Sequence, residues 1–274
     1  HNLFKHQLTP RLHAKYTLDE YTDIRFTAGR GWRVPNYMVD NISLLASSKT
    51  WVAPTEVIPE ISWNFGGSIV KDFKLFSKKA NIAFDVYHTR FTNQLIVDRD
   101  SIANAVVFKN LENASYSNSI QLEFSWTPIR NFDIRLAYKF LDVKALYNGT
   151  MQQQVMIPRH RGFTNLAYRT RNKRWEYDLT VSIFGQSRLP GYDQDPTQLS
   201  SVYPMLNAQI THIYKKWDFY IGGENLSNYK QHQPIVDAES PFSSSFDATE
   251  IWGPVMGISV YAGIRYQLKK EKKK

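Results

Sequence analysis

Alternation with a period of two, sustained over long runs and folded back by short polar turns, constrains this chain more than any other feature. Residues 118–140 read NSIQLEFSWTPIRNFDIRLAYKF. Ile120, Leu122, Phe124 and Trp126 fall on every second position, and after a break at Thr127–Phe132 the alternation resumes with Ile134, Leu136, Tyr138 and Phe140. Period two marks a β-strand with one apolar face, and two such runs around a short turn read as a hairpin. The other face carries Gln121, Glu123, Ser125, Arg135 and Lys139. A water-soluble sandwich would bury the apolar face against a second sheet. A membrane barrel would show it to lipid and keep the charged face inside. The local pattern fits both.

The rest of the chain repeats the hairpin. Strands are expected near 8–18, 23–35, 57–75, 80–98, 112–127, 133–146, 155–169, 175–189, 202–215, 218–230 and 254–268, eleven in all. Short connections lie at 17–23, 75–81, 128–133, 169–175 and 214–218, and long ones at 36–56, 99–112, 147–154, 190–201 and 232–253. Short and long alternate strictly, so all tight turns collect at one end of the strands and all long loops at the other, as in outer-membrane barrels. A sandwich would show turn signals about every 8–12 residues and shorter strands. Rings cluster beside three of the short turns: Trp126 and Phe132, Trp175 and Tyr177, and Tyr214, Trp217 and Phe219. Aromatic girdles form where an amphipathic ring sits at headgroup level. The barrel reading therefore turns Ile120, Leu122, Phe124 and Trp126 outward with Leu179, Val181, Ile183, Val260, Ala262, Ile264 and Tyr266. It turns Gln121, Glu123, Asp178, Thr180, Arg265 and Gln267 inward.

Composition removes several alternatives. Mean hydropathy is −0.44, and no run approaches the roughly 18 apolar residues of a membrane helix. That excludes helical spanning only, because barrel strands alternate and average out as polar. With no cysteine there is neither a disulfide framework nor a thiolate metal site. The net charge of +9 includes five lysines of the terminal KKEKKK run, residues 269–274. That run reads as a solvated basic tail, and no nucleic-acid reader motif accompanies it. The chain starts HNLFKH, without a signal peptide pattern, and reads as a mature chain or a piece of a longer one.

Three stretches carry a resemblance. FTAGRGWRVPN (26–36) places Gly29, Gly31, Trp32, Arg33, Val34, Pro35 and Asn36 at a strand-to-loop junction. PEISWNFGGSIV (59–70) follows, with Pro59, Glu60, Asn64 and Gly66. GGENLSNYKQHQP (222–234), a long loop and WGPVMGISVYAGIRYQL (252–268) make the last two strands. In this order the stretches resemble TonB-dependent outer-membrane receptors, with a texture similar to those of Bacteroidetes-type bacteria. The resemblance implies an all-β, transmembrane antiparallel barrel of 22 strands with an N-terminal plug. Residues 1–268 would supply about eleven C-terminal strands of it, and 269–274 a basic periplasmic tail. The plug, the TonB-contacting box and the N-terminal half of the barrel would be the partners absent from this chain. In the family the closing aromatic is usually the last residue, whereas here Tyr266 is followed by QLKKEKKK.

No enzyme signature is present: there is no GxSxG, Walker loop or HExxH, and the seven histidines are scattered. Neither a catalytic residue nor a metal site or cofactor is expected. His160 lies between two arginines in PRHRG, which discourages a cation, and Asp193 and Asp195 lack the further oxygen ligands of a calcium loop. Asn113-Ala-Ser and Asn148-Gly-Thr read as polar loop residues. Binding is the expected chemistry. Arg33 and Arg188 could hold a carboxylate or phosphate bidentately, with Trp32, Trp51, Tyr147, Tyr192, Phe246 and Trp252 as aromatic candidates. The function implied is energised uptake of a scarce nutrient such as a siderophore–iron complex, haem, a cobalamin or an oligosaccharide. Membrane lipid and lipopolysaccharide would surround the barrel, with loops extracellular and short turns and C-terminus periplasmic. The alternatives are a passive porin-like or structural barrel and a soluble β-sandwich binding module.

Overall fold

The computed structural model describes residues 4–102, 104–147, 149–191 and 198–268. The basic tail, Asn148, Tyr192, Asp193 and Asp195 lie outside the described residues.

The strands are β1 (Arg11–Asp19), β2 (Thr22–Arg33), β3 (Thr50–Val52), β4 (Glu60–Leu75), β5 (Lys78–Asp98), β6 (Ala105–Ile129) and β7 (Phe132–Tyr147). They continue with β8 (Thr150–Gln153), β9 (His160–Arg169), β10 (Trp175–Phe184), β11 (Tyr203–Tyr214), β12 (Trp217–Glu224) and β13 (Ser259–Tyr266). All belong to one sheet, whose main path runs β1-β2-β4-β5-β6-β7-β9-β10-β11-β12-β13. Every step of that path is antiparallel and joins chain neighbours once the short β3 and β8 are set aside. The eleven expected strands are these eleven. The sheet is open: among the described residues β1 and β13 each pair on one side only.

Register shows why the sequence alternates. The pairs Ala80↔Trp126, Ile82↔Phe124, Phe84↔Leu122 and Val86↔Ile120 put four apolar rows side by side on one face. The same rows continue through Ile134, Leu136, Tyr138 and Phe140 on β7, then Leu166 and Leu179 on β9 and β10. On the last three strands Ile210↔Ile221↔Ala262 stay on this face. The polar face pairs Asp85↔Gln121↔Lys139 and Asn165↔Thr180↔Asn207. Among the described residues no second sheet covers the apolar face. Leu122 is 42% exposed and Ile264 62% exposed, which overturns the soluble-sandwich alternative. A continuous exposed apolar band of this size marks a surface made for a non-aqueous neighbour.

The band has a visible upper edge. Apolar alternation stops at Val86, Ile120 and Phe140, and the next positions on that face are His88, Asn118 and Asp142. His88 and Asn118 share a hydrogen bond of 2.6 Å. On the polar face, by contrast, tyrosines lie flat on glycines of the facing strand. Tyr87 covers Gly66, Tyr261 covers Gly222 and Tyr220 covers Gly263, so any Cβ at these glycines would collide with a ring.

The tight turns fall where expected. Between β4 and β5, Phe76 and Ser77 both have positive φ, 49° and 63°, as a two-residue turn matching strand twist requires. L-residues are disfavoured there by about 1–2 kcal/mol each. Ser77→Gly is therefore expected to stabilise the hairpin by about 1 kcal/mol, read as a higher urea midpoint in detergent micelles; an unchanged midpoint would refute this account of the turn.

The structure corrects the strand ends. The segment Ala105–Lys109, expected as loop, extends β6 outward, because Val106 and Phe108 pack against Leu44, Tyr37 and Trp51 from the 36–56 loop. That loop holds a short 3-10 helix at Val39–Leu45, and β3 pairs in parallel with β6 through Trp51↔Val106. Conversely β12 ends at Glu224 rather than near 230. Asn225 turns left-handed (φ 49°) and its side chain bonds the carbonyls of Tyr229 and Met256 at 2.7 and 2.9 Å.

Candidate ligand-binding rim

The long loops are pinned together by buried ion pairs, and the pins converge on three consecutive residues at the tip of β5. Asp98 accepts from the backbone N–H groups of Asp100 and Ser101, 3.0 Å each, and pairs with Lys109 at 2.5 Å. Arg99 donates through Nη2 to Thr249 Oγ1 at 2.7 Å and lies 3.8 Å from Asp247 and 3.9 Å from Glu250. Asp100 holds the Arg188 guanidinium at 2.7 Å and accepts from the Gly191 N–H at 3.0 Å. One strand tip thus fastens the 185–202 connection on one side and the 225–258 connection on the other. A third loop joins through Lys49, which pairs with Asp247 and lies 3.6 Å from Glu250. Backbone bonds reinforce it: Ser48 N–H donates to the Phe246 carbonyl and Ala248 N–H to the Ala46 carbonyl, both 2.9 Å.

Burial opposes the charge on Asp247, which is 2% exposed, but Lys49 and Thr249 outweigh it and hold its pKa below the ordinary 3.8. Burial pushes Glu250 up against the pull of Lys49. A depressed aspartate contributes stability that is present above its unfolded pKa and lost as pH falls through the lower folded value. The rim is therefore expected to be intact at neutral pH and to loosen only below about pH 4. Hydrogen exchange at 46–52 and 236–250 across pH 3–7 checks it; uniform protection over the range would refute it.

The expected binding residues separate into groups. Tyr147 is 2% exposed, with Arg188 stacked over its ring at 5.4 Å, and burial lifts its phenol to about 12. Arg188 is itself 5% exposed and also donates through Nε to the Gln153 carbonyl at 2.6 Å. These two are brought together, as a buried joint between loops. Arg33 remains exposed on the polar face, between Glu60 at 2.7 Å and Asp40 at 3.2 Å. Trp32 falls on the apolar face, opposite Ile61, and so points away from the Arg33 side. Trp51 packs on Phe108 with ring centres 5.2 Å apart, and Phe246 lies half-buried in the loop beside Ser48.

Trp252 belongs to an aromatic row that sequence reasoning missed. Phe184 stacks on Tyr203 at 4.9 Å, Tyr203 on Tyr229 at 4.9 Å, and Trp252 meets Tyr203 at 5.9 Å. The Arg161 guanidinium caps the row, 5.6 Å from the Phe184 ring. Arg161, Phe184 and Tyr203 are direct cross-strand neighbours on the polar face. The buried Gln231 fixes the Trp252 end, accepting from the Trp252 and Gly253 N–H groups at 2.8 and 3.0 Å. The four rings lie at 184, 203, 229 and 252 in sequence, a spacing with no local signal. A row of π-faces closed by a guanidinium suits a ligand with flat rings or apolar sugar faces and an anionic group.

Comparison with known proteins gives a consistent fold. The family model described as "TonB dependent receptor-like, beta-barrel" matches residues 2–226. No curated protein matches the sequence. Among solved structures, the FrpB iron transporter of Neisseria meningitidis superposes with a TM-score of 0.62 at 11% identity, over 95% of this chain and 38% of that one. A ferric enterobactin receptor of Pseudomonas aeruginosa gives 0.61 at 13% identity, over 94% and 40%. The siderophore receptor PirA of Acinetobacter baumannii gives 0.64 at 10% identity, again over 94% and 40%. At these identities the likeness is one of fold, and the chain spans about two fifths of the length of these three structures.

Proposed function

Because this chain belongs to the TonB-dependent receptor-like β-barrel family, a family of outer-membrane transport receptors, we propose that it forms part of an energised importer for a scarce nutrient. In this reading residues 1–268 supply barrel wall and 269–274 a periplasmic tail. The apolar band faces lipid and the polar face lines a plugged lumen. The long loops are extracellular and the tight turns periplasmic. Further strands close the two free edges, since unpaired strand edges do not persist in hydrocarbon. A plug and a TonB-contacting segment complete the machine.

The observation that carries the binding part is the aromatic row on the polar face at the long-loop rim. Trp252, Tyr229 and Arg161 contact the ligand there, with Arg33, Trp51 and Phe246 lining the loops around it. Tyr147 and Arg188 hold the loops in place from behind. A siderophore–iron complex, haem, a cobalamin and an oligosaccharide all offer flat or apolar faces with polar groups, and the row fits that class.

The test is binding and uptake by the whole receptor. Binding of ferric catecholate, haem, cobalamin and maltooligosaccharide probes is followed by tryptophan fluorescence, and uptake is measured with and without a proton gradient. Trp252→Ala is expected to weaken binding of the recognised probe at least tenfold, about 1.4 kcal/mol. Uptake that continues undiminished without the gradient would establish a passive channel instead.

A further inference from the structure

We propose that the lipid-facing wall carries a built site for one phosphorylated, acylated lipid of the outer leaflet, seated in a cleft over Gly162. The inference rests on the outer-membrane reading above. Register puts Gly162 between Tyr138 and Ile183 on the apolar face. A glycine there leaves a notch one side chain deep between two large neighbours. The notch opens into a cleft of about 710 Å³, lined by Ile183, Leu199 and Val202 and also by Gln152, Gln153 and Gln186. Leu199 and Val202 are 51% and 55% exposed, an apolar pair in the same connection whose Ser187, Arg188 and Ser200 are buried.

The cleft ends in an arginine and a histidine at the upper edge of the apolar band. Arg159 and His160 line it, and His160 stands beside Phe140, the last apolar residue of that strand's outward series. Arg159 lies 5.5 Å over the Phe140 ring and 3.5 Å from Asp142, with its side chain half exposed. The Tyr138 hydroxyl and His160 Nδ1 are 2.7 Å apart. In the tautomer where the tyrosine hydroxyl donates to Nδ1, Nε2 carries the proton that a ligand can accept. Lys144 adds a further positive charge, 3.9 Å from the same Asp142. Arg159 and Lys144 therefore outnumber the one acid between them. A trough with Tyr138, Ile183, Leu199 and Val202 below and the Arg159 guanidinium with Lys144 at headgroup level matches an acyl chain below a phosphate. A guanidinium and an imidazole bind phosphate by charge-assisted hydrogen bonds, and cations at this depth attract anionic lipid.

The test uses the membrane-extracted protein in detergent, with diphosphorylated lipid A as the probe and native mass spectrometry as readout. One lipid per protein is expected to survive delipidation. The R159A/H160A double variant should weaken retention at least tenfold. Gly162→Leu should do the same by filling the trough. A Cβ at Gly162 meets only Ile183 Cβ, at an ordinary 3.8 Å, so that variant is expected to keep wild-type thermal stability. Dephosphorylated lipid A should bind as weakly as the variants, and millimolar inorganic phosphate should not compete. Equal retention by wild type and R159A/H160A would overturn the proposal. So would an unaffected Gly162→Leu together with competition by free phosphate, which would mean an anion site without a lipid chain. Extraction of a stable protein without detergent would instead defeat the membrane reading, and is distinguishable from either result.

Discussion

Asp247→Ala is expected to release the loop rim, at a local cost of about 3–5 kcal/mol, the usual penalty for removing one partner of a buried ion pair. The side chains of Lys49 and Arg99 are each 5% exposed, and both face the Asp247 carboxylate. Without it, two buried cations lose a shared carboxylate, and Glu250 lies 3.6 and 3.9 Å from them. Burial already disfavours the charged form of Glu250, so it compensates poorly. The backbone also loses a partner, because Asp247 Oδ1 accepts from Thr249 N–H at 2.7 Å and from its hydroxyl at 2.6 Å. The barrel strands do not depend on this network, and loops open independently of cores. Hydrogen exchange and limited proteolysis at 46–52 and 236–250 should change sharply while the global melting temperature moves little. Asp247→Asn keeps the acceptor for Thr249 and should give an intermediate effect. Unaltered protection in Asp247→Ala would mean that the ion pairs do not hold the rim.

Leu122→Arg is expected to destabilise the folded barrel in lipid by about 2–4 kcal/mol, the penalty for a cation on the lipid face near the midplane. Gln121→Arg, one residue away, should be nearly neutral. Leu122 lies between Phe84 and Tyr138, two positions from the polar edge of the band. Gln121 lies between Asp85 and Lys139 and donates to Glu123 at 2.5 Å, so a new cation there meets two acids and one base. Because strand side chains alternate with period two, adjacent positions sample opposite solvents. Urea unfolding of both variants in lipid vesicles compares them directly. A larger loss for Gln121→Arg would reverse the assignment of faces.

How much of this was legible in the sequence depends on the range of the interaction. The hairpin at 118–140 was readable because both its strands and its turn are local, and register then carried every apolar residue to one face. The NLSNY stretch was readable as a motif, and the structure gives it a physical basis. Asn225 closes the turn after β12, Asn228 Oδ1 accepts from Ile258 N–H at 3.3 Å, and Tyr229 enters the aromatic row. Arg188 and Tyr147 looked like exposed loop residues. They are buried because Asp100 and Gln153, 88 and 35 residues from Arg188, reach the guanidinium.

Sequence alone determined the architecture: a long antiparallel meander with one apolar face, tight turns at one end and long loops at the other. It could do so because period two and turn chemistry are properties of neighbouring residues. Tertiary structure decided what the loops build. It folded Lys49, Arg99 and Asp247 into one charge cluster, lined up Phe184, Tyr203, Tyr229 and Trp252, and opened a cleft between Gly162 and the loop at Leu199. Those groupings join residues tens to more than a hundred positions apart. No local pattern encodes them, because the burial and charge pairing that hold them exist only once the strands stand side by side.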